Sequence, residues 1–282
     1  MDEASVQRFA CTACGACCNR APEVELSEAA SLADDFVFRL MFRLYRAPRA
    51  LADYADGGSE QFYQEKRLLT AFAARKSPLK LRREGRAVEY TQYLAISALA
   101  LDRGTGACSA LSDGRCAIYP RRPLACRAVP FHYSRAEASL PAYLRAFVAT
   151  PGYACETGES APVVLDTGKL LDPETSALRD QALALAERER PWKEAIVRRL
   201  KVPSDGLPSL REIEANAALG AMTTSMRQAW QVAVDAGLMN AEDCRALTVR
   251  QLGAIERELA NTTSPDARET LLQMRAEYRA RT

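Results

Sequence analysis

Residues 11–18 have the sequence CTACGACC, in which four of eight consecutive positions are cysteine. The spacing is Cys11-x2-Cys14-x2-Cys17-Cys18, and Gly15 and small alanines fill the intervals. A Cys-x2-Cys step brings two thiolates to one ion from a single tight turn, and glycine lets the backbone wrap closely. This stretch therefore predicts a loop folded around a metal.

Four more cysteines follow at wider spacing. The full set, called the eight clustered cysteines below, is Cys11, Cys14, Cys17, Cys18, Cys108, Cys116, Cys126 and Cys155. Glycine and proline at positions 114, 120, 123 and 130 predict a compact irregular loop over residues 108–131. Eight thiolates make either two four-ligand sites or one site with four further thiols that are spare or redox-active. Adjacent Cys17 and Cys18 serve either one polynuclear centre or two different sites.

The charge balance and the absence of long apolar runs bound the class of protein. The 282 residues include 38 basic and 36 acidic side chains, for a net charge of +2. This balance predicts no general affinity for nucleic acid or anionic membrane, so we expect a protein or a small molecule as partner. The acidic start of the chain predicts no secretory signal, and no run of about 18 apolar residues predicts a membrane span. We expect a cytoplasmic protein, in which reduced thiols bind metal rather than form disulfides.

The first half of the chain contains mixed periodicities. Phe36, Leu40 and Leu44 recur at helical spacing, which predicts a helix from an N-cap at Ser27 to Pro48. A further helix is predicted at about 60–76, extended structure at 87–101, and a short strand at about 162–166. The turn at 102–106 predicts a small hairpin leading into Cys108.

From about residue 172 the sequence predicts helices throughout. Asp172 and Pro173 are typical of a helix start, Pro191 of an interruption, Gly237 of a helix stop, and Ser264-Pro265 of the start of the last helix. Capping boxes are predicted at Ser209/Glu212 and at Thr248/Gln251. We therefore expect a mainly α fold with minor β structure. It divides into a cysteine-rich metal-binding domain over 1–168 and a helical region over 169–282 that packs on it.

Residues 116–127 have the sequence CAIYPRRPLACR. Together with the first cluster, about a hundred residues earlier, this stretch resembles the CxxCxxCC (YkgJ-type) cysteine-cluster family, described as zinc- or iron-chelating domains. The resemblance covers residues 11 to about 155 and extends more distantly to flagellin lysine N-methylases. It implies a bound metal but no reaction, because the family has no settled activity.

The identity of the metal is left open between iron–sulfur and zinc. A C-x2-C-x2-C run is common in bacterial iron–sulfur proteins, whereas structural zinc sites more often use two separated C-x2-C knuckles. We therefore favour a [4Fe–4S] cluster, serving redox or substrate-binding chemistry, over a zinc-stapled binding module without catalysis. A protein lysine N-methylase-like enzyme is a weaker alternative.

Arginines surround the second cysteine segment at positions 115, 121, 122 and 127. They offset the charge of the thiolates, or Arg122 and Arg127 bind an anionic cofactor group. His132 is a candidate ligand or proton shuttle, or a hydrogen-bonded loop residue. Cys244 is expected to be a core residue of a helix. The chain has no Walker A motif, GxGxxG, HExxH, nucleophile elbow or C-x3-C-x2-C spacing, which excludes the usual signatures of those enzyme classes.

Overall fold

The computed structural model describes residues 6–55, 57–102, 104, 106–202, 206–217 and 220–280. Its strands are β1 (Gln7–Arg8), β2 (Glu23–Val24), β3 (Phe38–Pro48), β4 (Ala73–Arg83), β5 (Arg86–Ala100), β6 (Leu111–Ser112), β7 (Arg115–Cys116), β8 (Val163–Asp166), β9 (Lys169–Leu170) and β10 (Ala221–Ser225). Its α-helices are α1 (Leu26–Ser31), α2 (Ser59–Phe72), α3 (Leu124–Arg127), α4 (Leu140–Val148), α5 (Pro173–Arg199), α6 (Leu210–Ala215), α7 (Met226–Asp235), α8 (Ala241–Asn261) and α9 (Pro265–Arg279). Short 3-10 turns lie at 51–53, 119–121 and 137–139.

An antiparallel sheet of five strands forms the centre of the molecule. The strand order is β10-β3-β5-β2, and β4 pairs with the same edge of β5 as β2, over an earlier part of that strand. One face of the sheet, with Leu40, Phe42 and Ile96, packs into a large apolar core with helices α5, α7 and α8. Burial of such side chains contributes about 1.5–3 kcal/mol each, so this contact holds the sheet and the later helices together.

The expected mainly α fold is wrong. The described chain is 46% helical and 22% strand, which makes it a mixed α/β protein. The main error is the helix expected from Ser27 to Pro48. In its place the chain forms one short helix, α1, and then the eleven-residue strand β3, which is hydrogen-bonded on both edges to β5 and β10.

Several other predictions of local structure are confirmed. Strands β5 and β8 occupy the segments expected of them, and helix α2 forms where a helix was expected but ends at Phe72, so that residues 73–76 begin strand β4 instead. Asp172 caps α5 by accepting a hydrogen bond from the Thr175 N–H at 2.9 Å, and Ser209 forms its capping box. Gly237 follows the end of α7 with φ of +70°, as a helix stop requires.

Two predictions within helices are wrong, and one turn is only partly described. Helix α5 continues through Pro191. Thr248 lies inside α8, where its hydroxyl donates to the Cys244 carbonyl at 2.8 Å, so it caps no helix. In the turn expected at 102–106, Arg103 and Thr105 lie outside the described residues. The residues on either side of them, Asp102 and Cys108, form an antiparallel β-bridge.

Elements from the two predicted regions meet in one sheet and one core. Strand β10 pairs with β3 from Ala221↔Arg43 to Ser225↔Arg39. Gln251 of α8 donates to the carbonyls of Ala33 and Phe36. The helical region therefore packs extensively on the cysteine-rich region. The division into two domains near residue 168 stays a prediction. Among the described helices, none combines the length and the apolar character needed to cross a membrane.

Candidate metal centre

All eight clustered cysteines line one cavity of about 950 Å³ beside the sheet. None of them forms a disulfide. Cys244 is buried in α8, as expected of a core residue. The donors around the cavity are thiols carried on loops and short elements, which is the chemistry that both zinc and iron–sulfur clusters use. The residue types therefore fit a bound metal.

The first cysteines are held by a short antiparallel ladder. The Ala10 N–H donates to the Glu156 carbonyl at 2.8 Å, and the Glu156 N–H donates back at 3.1 Å. Next in this ladder, the Thr12 hydroxyl donates to the Ala154 carbonyl at 2.8 Å. Cys11 and Cys155 are therefore carried on adjoining strands, although 144 positions separate them in the sequence.

Backbone N–H groups favour thiolates in this loop. The Ala13 N–H points to the Cys11 sulfur at 3.4 Å, and Ala13 takes a φ of +56°. Backbone hydrogen bonds from Ala154 and Ala16 lower the pKa of the Cys14 thiol, because they stabilise its anion. The loop is therefore shaped for deprotonated sulfur.

Gly15 joins the first loop to the second cysteine segment. A side chain at this position would place its Cβ 2.1 Å from the Gly114 carbonyl oxygen, and the φ of +72° also favours glycine. Just beyond, the Cys18 N–H donates to the Gly15 carbonyl and the Cys108 N–H donates to the Cys18 carbonyl at 3.0 Å. The two cysteine segments are therefore in direct backbone contact.

The second segment is a small hairpin followed by one helical turn. In the hairpin, Leu111 pairs with Cys116. Helix α3 carries Cys126, and the Leu124 N–H at its start donates to Glu28 Oε1 at 2.6 Å. Burial raises the pKa of Cys126 to about 12, and the nearby thiols of Cys108 and Cys116 act in the same direction. Cys126 therefore lies at the closed side of the cavity, near two other candidate ligands.

Cys17 and Cys18 face each other through a side-chain hydrogen bond. This bond lowers the pKa of Cys17 and raises that of Cys18, so one proton is shared within the pair. The positive charges of Arg122 and Arg20 add to the lowering of the Cys17 pKa. The two adjacent thiols are therefore in contact with each other.

The arginines near the second cysteine segment contact different partners. Arg122 lines the cavity and stacks on Tyr119 with 3.6 Å between its guanidinium carbon and the ring centre; its charge helps to lower the pKa of Cys17 and opposes the increase in the pKa of Cys126. The charge of Arg127 acts on Glu28 instead, and Arg121 forms an ion pair with Asp35. Arg122 thus has the place expected of a residue that offsets thiolate charge. Binding of a cofactor group by Arg122 and Arg127 stays a prediction.

His132 also lines the cavity, and its ring lies 4.1 Å from that of Tyr133. Its Nδ1 accepts a hydrogen bond from the Ser134 N–H at 3.2 Å. Burial and the charges of Arg135, Arg20 and Arg179 lower the pKa of His132 to about 4. The imidazole is therefore neutral at physiological pH, and its other nitrogen, Nε2, carries the proton.

Another wall of the cavity is formed by buried charged residues that sequence reasoning missed. Lys193 of α5 donates a hydrogen bond to the Glu25 carboxyl, and Glu189 accepts hydrogen bonds from the Leu26 and Ser27 N–H groups. Glu25 and Lys193 both line the cavity. They are 168 positions apart in the sequence, so no local pattern could have paired them. These contacts tie the cysteine-rich half to α5.

Within the described residues, no group of three or more His, Cys, Asp or Glu side chains is already closed around a point that could hold a metal ion. A tetrahedral zinc site with Zn–S bonds of about 2.3 Å requires its sulfurs to be roughly 4 Å apart. The thiols that line the cavity would therefore move together when a metal binds.

A family model matches residues 10–155: CxxCxxCC, a putative zinc- or iron-chelating domain. The chain belongs to this family. The CxxCxxCC domain begins in the ladder at Ala10 and ends at Cys155, so it includes all eight clustered cysteines and excludes the helices from α5 onward. No curated protein matches the chain, and no solved structure does. Membership in this family supports a role in chelating zinc or iron.

Proposed function

We propose that this chain holds an iron–sulfur cluster through its clustered cysteines and uses it for redox or substrate-binding chemistry in the cytoplasm. The observation that carries the proposal is that eight thiols line one cavity of about 950 Å³. Structural zinc sites are closed by four protein ligands, whereas cavities of roughly 300–1,000 Å³ accommodate small molecules. A metal bound by these thiols would therefore lie beside a space large enough for a small-molecule ligand.

Different residues around the cavity would hold the metal, offset its charge and bind a substrate. Thiolates would hold the metal, and the cluster would supply electrons to a substrate bound in the cavity beside it. Arg122 would offset the negative charge that Cys17 and its neighbours bring. His132 and Tyr133 would present hydrogen-bond donors to a bound molecule, because burial lowers the pKa of His132 and raises that of Tyr133. Such a cavity favours a small-molecule partner over nucleic acid.

The test is metal, sulfide and optical analysis of protein purified without oxygen. We expect a brown protein with iron and acid-labile sulfide in equal amounts. Cys126→Ser should hold less metal than the unaltered protein, whereas Cys244→Ser, which removes a thiol buried in α8 outside the cavity, should keep its full metal content. A colourless protein that holds zinc would overturn the iron–sulfur proposal in favour of a zinc-stapled module. Full metal retention in Cys126→Ser would count against this thiol as a ligand.

A further inference from the structure

We infer that the eight clustered cysteines form two separate four-thiol centres that differ in their exposure to solvent. The outer centre consists of Cys11, Cys14, Cys17 and Cys155, and the inner centre consists of Cys18, Cys108, Cys116 and Cys126. This division rests on the proposed metal-binding function but is independent of whether the metal is iron or zinc.

Backbone pairing assembles the outer centre. The ladder between Ala10 and Glu156 sets Cys11 beside Cys155. The backbone of Ala154, the residue before Cys155, makes a hydrogen bond to the Cys14 sulfur. Residues 154–156 therefore contact both ends of the Cys11-x2-Cys14 step. These contacts fix three thiols in one loop region and leave the fourth place to Cys17, three residues after Cys14.

A different set of contacts assembles the inner centre. The Cys108 N–H donates to the Cys18 carbonyl at 3.0 Å, which sets these two residues side by side. The Leu111 N–H donates to the Cys108 carbonyl, and Leu111 pairs with Cys116 across the hairpin. The inner set is completed by Cys126 on α3, which Glu28 anchors through the Leu124 N–H.

Apart from the contact between Cys17 and Cys18, which is the strongest influence on either of them, the electrostatic influence of one thiol on another follows the same division. The thiols that act on Cys155 are Cys14, Cys11 and Cys17. Those that act on Cys126 are Cys108 and Cys116, and both of these also act on Cys18. The boundary falls between the adjacent residues Cys17 and Cys18, which touch through their own hydrogen bond. Two centres in these positions would be joined by a single peptide unit.

The two sets differ in access to water. In the outer set Cys11 and Cys14 are exposed and Cys17 and Cys155 are partly buried, whereas all four cysteines of the inner set are partly buried. Metal exchange requires water or a chelator to reach the ligands, so the outer centre should exchange its metal faster. The inner centre, enclosed by the hairpin and by α3, should keep its metal.

The experiment uses the full chain, freed of metal under reducing conditions and then loaded with zinc alone. Zinc takes four thiolates, so we expect about two ions per chain, released to a colorimetric chelator in a fast and a slow phase. Cys14→Ser should remove the fast phase and halve the bound zinc. Cys116→Ser should remove the slow phase and halve it likewise. Cys244→Ser, the matched control, should keep both phases.

Other outcomes would overturn the division. The division would be wrong if either single variant lost all of its zinc. It would also be wrong if the unaltered protein released one zinc ion per chain in a single phase. Where a variant does not fold, as judged by circular dichroism, Cys11→Ser or Cys108→Ser replaces it within the same set. The proposal of an iron–sulfur cluster is judged separately, from the iron and sulfide content of the protein as purified.

Discussion

Glu25 lets the energetics of its buried contact with Lys193 be tested directly. Its carboxyl is 7% exposed and bonded to Lys193, and burial raises its pKa from the ordinary value of 4.5 to about 8. Lys193 opposes the increase, while the carboxylate of Glu189 adds to it. Glu25 therefore keeps its proton in the folded protein at neutral pH and loses it in the unfolded chain.

The sign of the pH dependence follows from linkage. A carboxyl whose pKa is raised by folding stabilises the protein fully below its unfolded pKa, and that stability is lost as pH rises through the folded pKa. Each pKa unit corresponds to about 1.36 kcal/mol, so a change from about pH 5.5 to pH 8.5 should remove about 3 kcal/mol through Glu25.

The perturbation is Glu25→Gln, which keeps an acceptor for Lys193 and a donor for Glu189 but does not titrate. Urea unfolding at both pH values gives the free energy of unfolding. We expect the variant to lose about 3 kcal/mol less than the unaltered protein between them. Because thiols titrate equally in both proteins, their contribution cancels in this difference. Glu159→Gln, an exposed carboxyl in a turn, is the control and should leave the pH dependence unchanged. An equal loss in the Glu25 variant and the unaltered protein would refute the reasoning.

Two further substitutions test packing, one at the site and one in the core. Gly15→Ala should lower both the free energy of unfolding and the metal content, because its Cβ would lie 2.1 Å from the Gly114 oxygen. The control is Gly85→Ala, at a position with a similar φ but open space around it. It should lower the free energy of unfolding by only about 1 kcal/mol and keep the metal. Equal effects of the two would contradict the close contact. Gln251→Leu should cost about 3 kcal/mol or more in urea unfolding, since it leaves buried backbone groups of Ala33, Phe36 and Phe38 without partners, whereas the exposed Gln273→Leu should cost less than about 1 kcal/mol.

The strand β3 shows why part of the fold could not be predicted from the sequence. Phe36, Leu40 and Leu44 are spaced by four, which fits one face of a helix but is also a multiple of the two-residue period of a strand. Phe38 and Phe42 fill the alternate places on the same face, and Met41 is also fully buried. A strand buried on both faces carries apolar residues almost throughout, so its periodicity is ambiguous. The hydrogen bonds to β5 and β10 decide the structure, and neither partner is local.

The candidate site was predictable to the extent that its chemistry is local. Spacing and residue type identify the cysteines, and the structure brings all eight to one cavity. The buried wall of Glu25 and Lys193 could not be found, because a single charged residue in a sequence gives no sign that it is buried. The ladder that places Cys11 beside Cys155 was equally out of reach, since two-residue pairings between distant segments have no pattern of their own.

Strand β10 has a consequence for the order in which the chain acquires its structure during synthesis. Its partner β3 begins at Phe38, so the sheet receives its outer strand only after more than two thirds of the chain exists. At about 5–20 residues per second, Cys155 is made several seconds before Ala221. Throughout that interval the thiols could already take up metal, while β3 still offers an unpaired edge to other strands. Nascent chains halted before residue 221 should therefore be prone to association through that edge, whether or not their metal is in place.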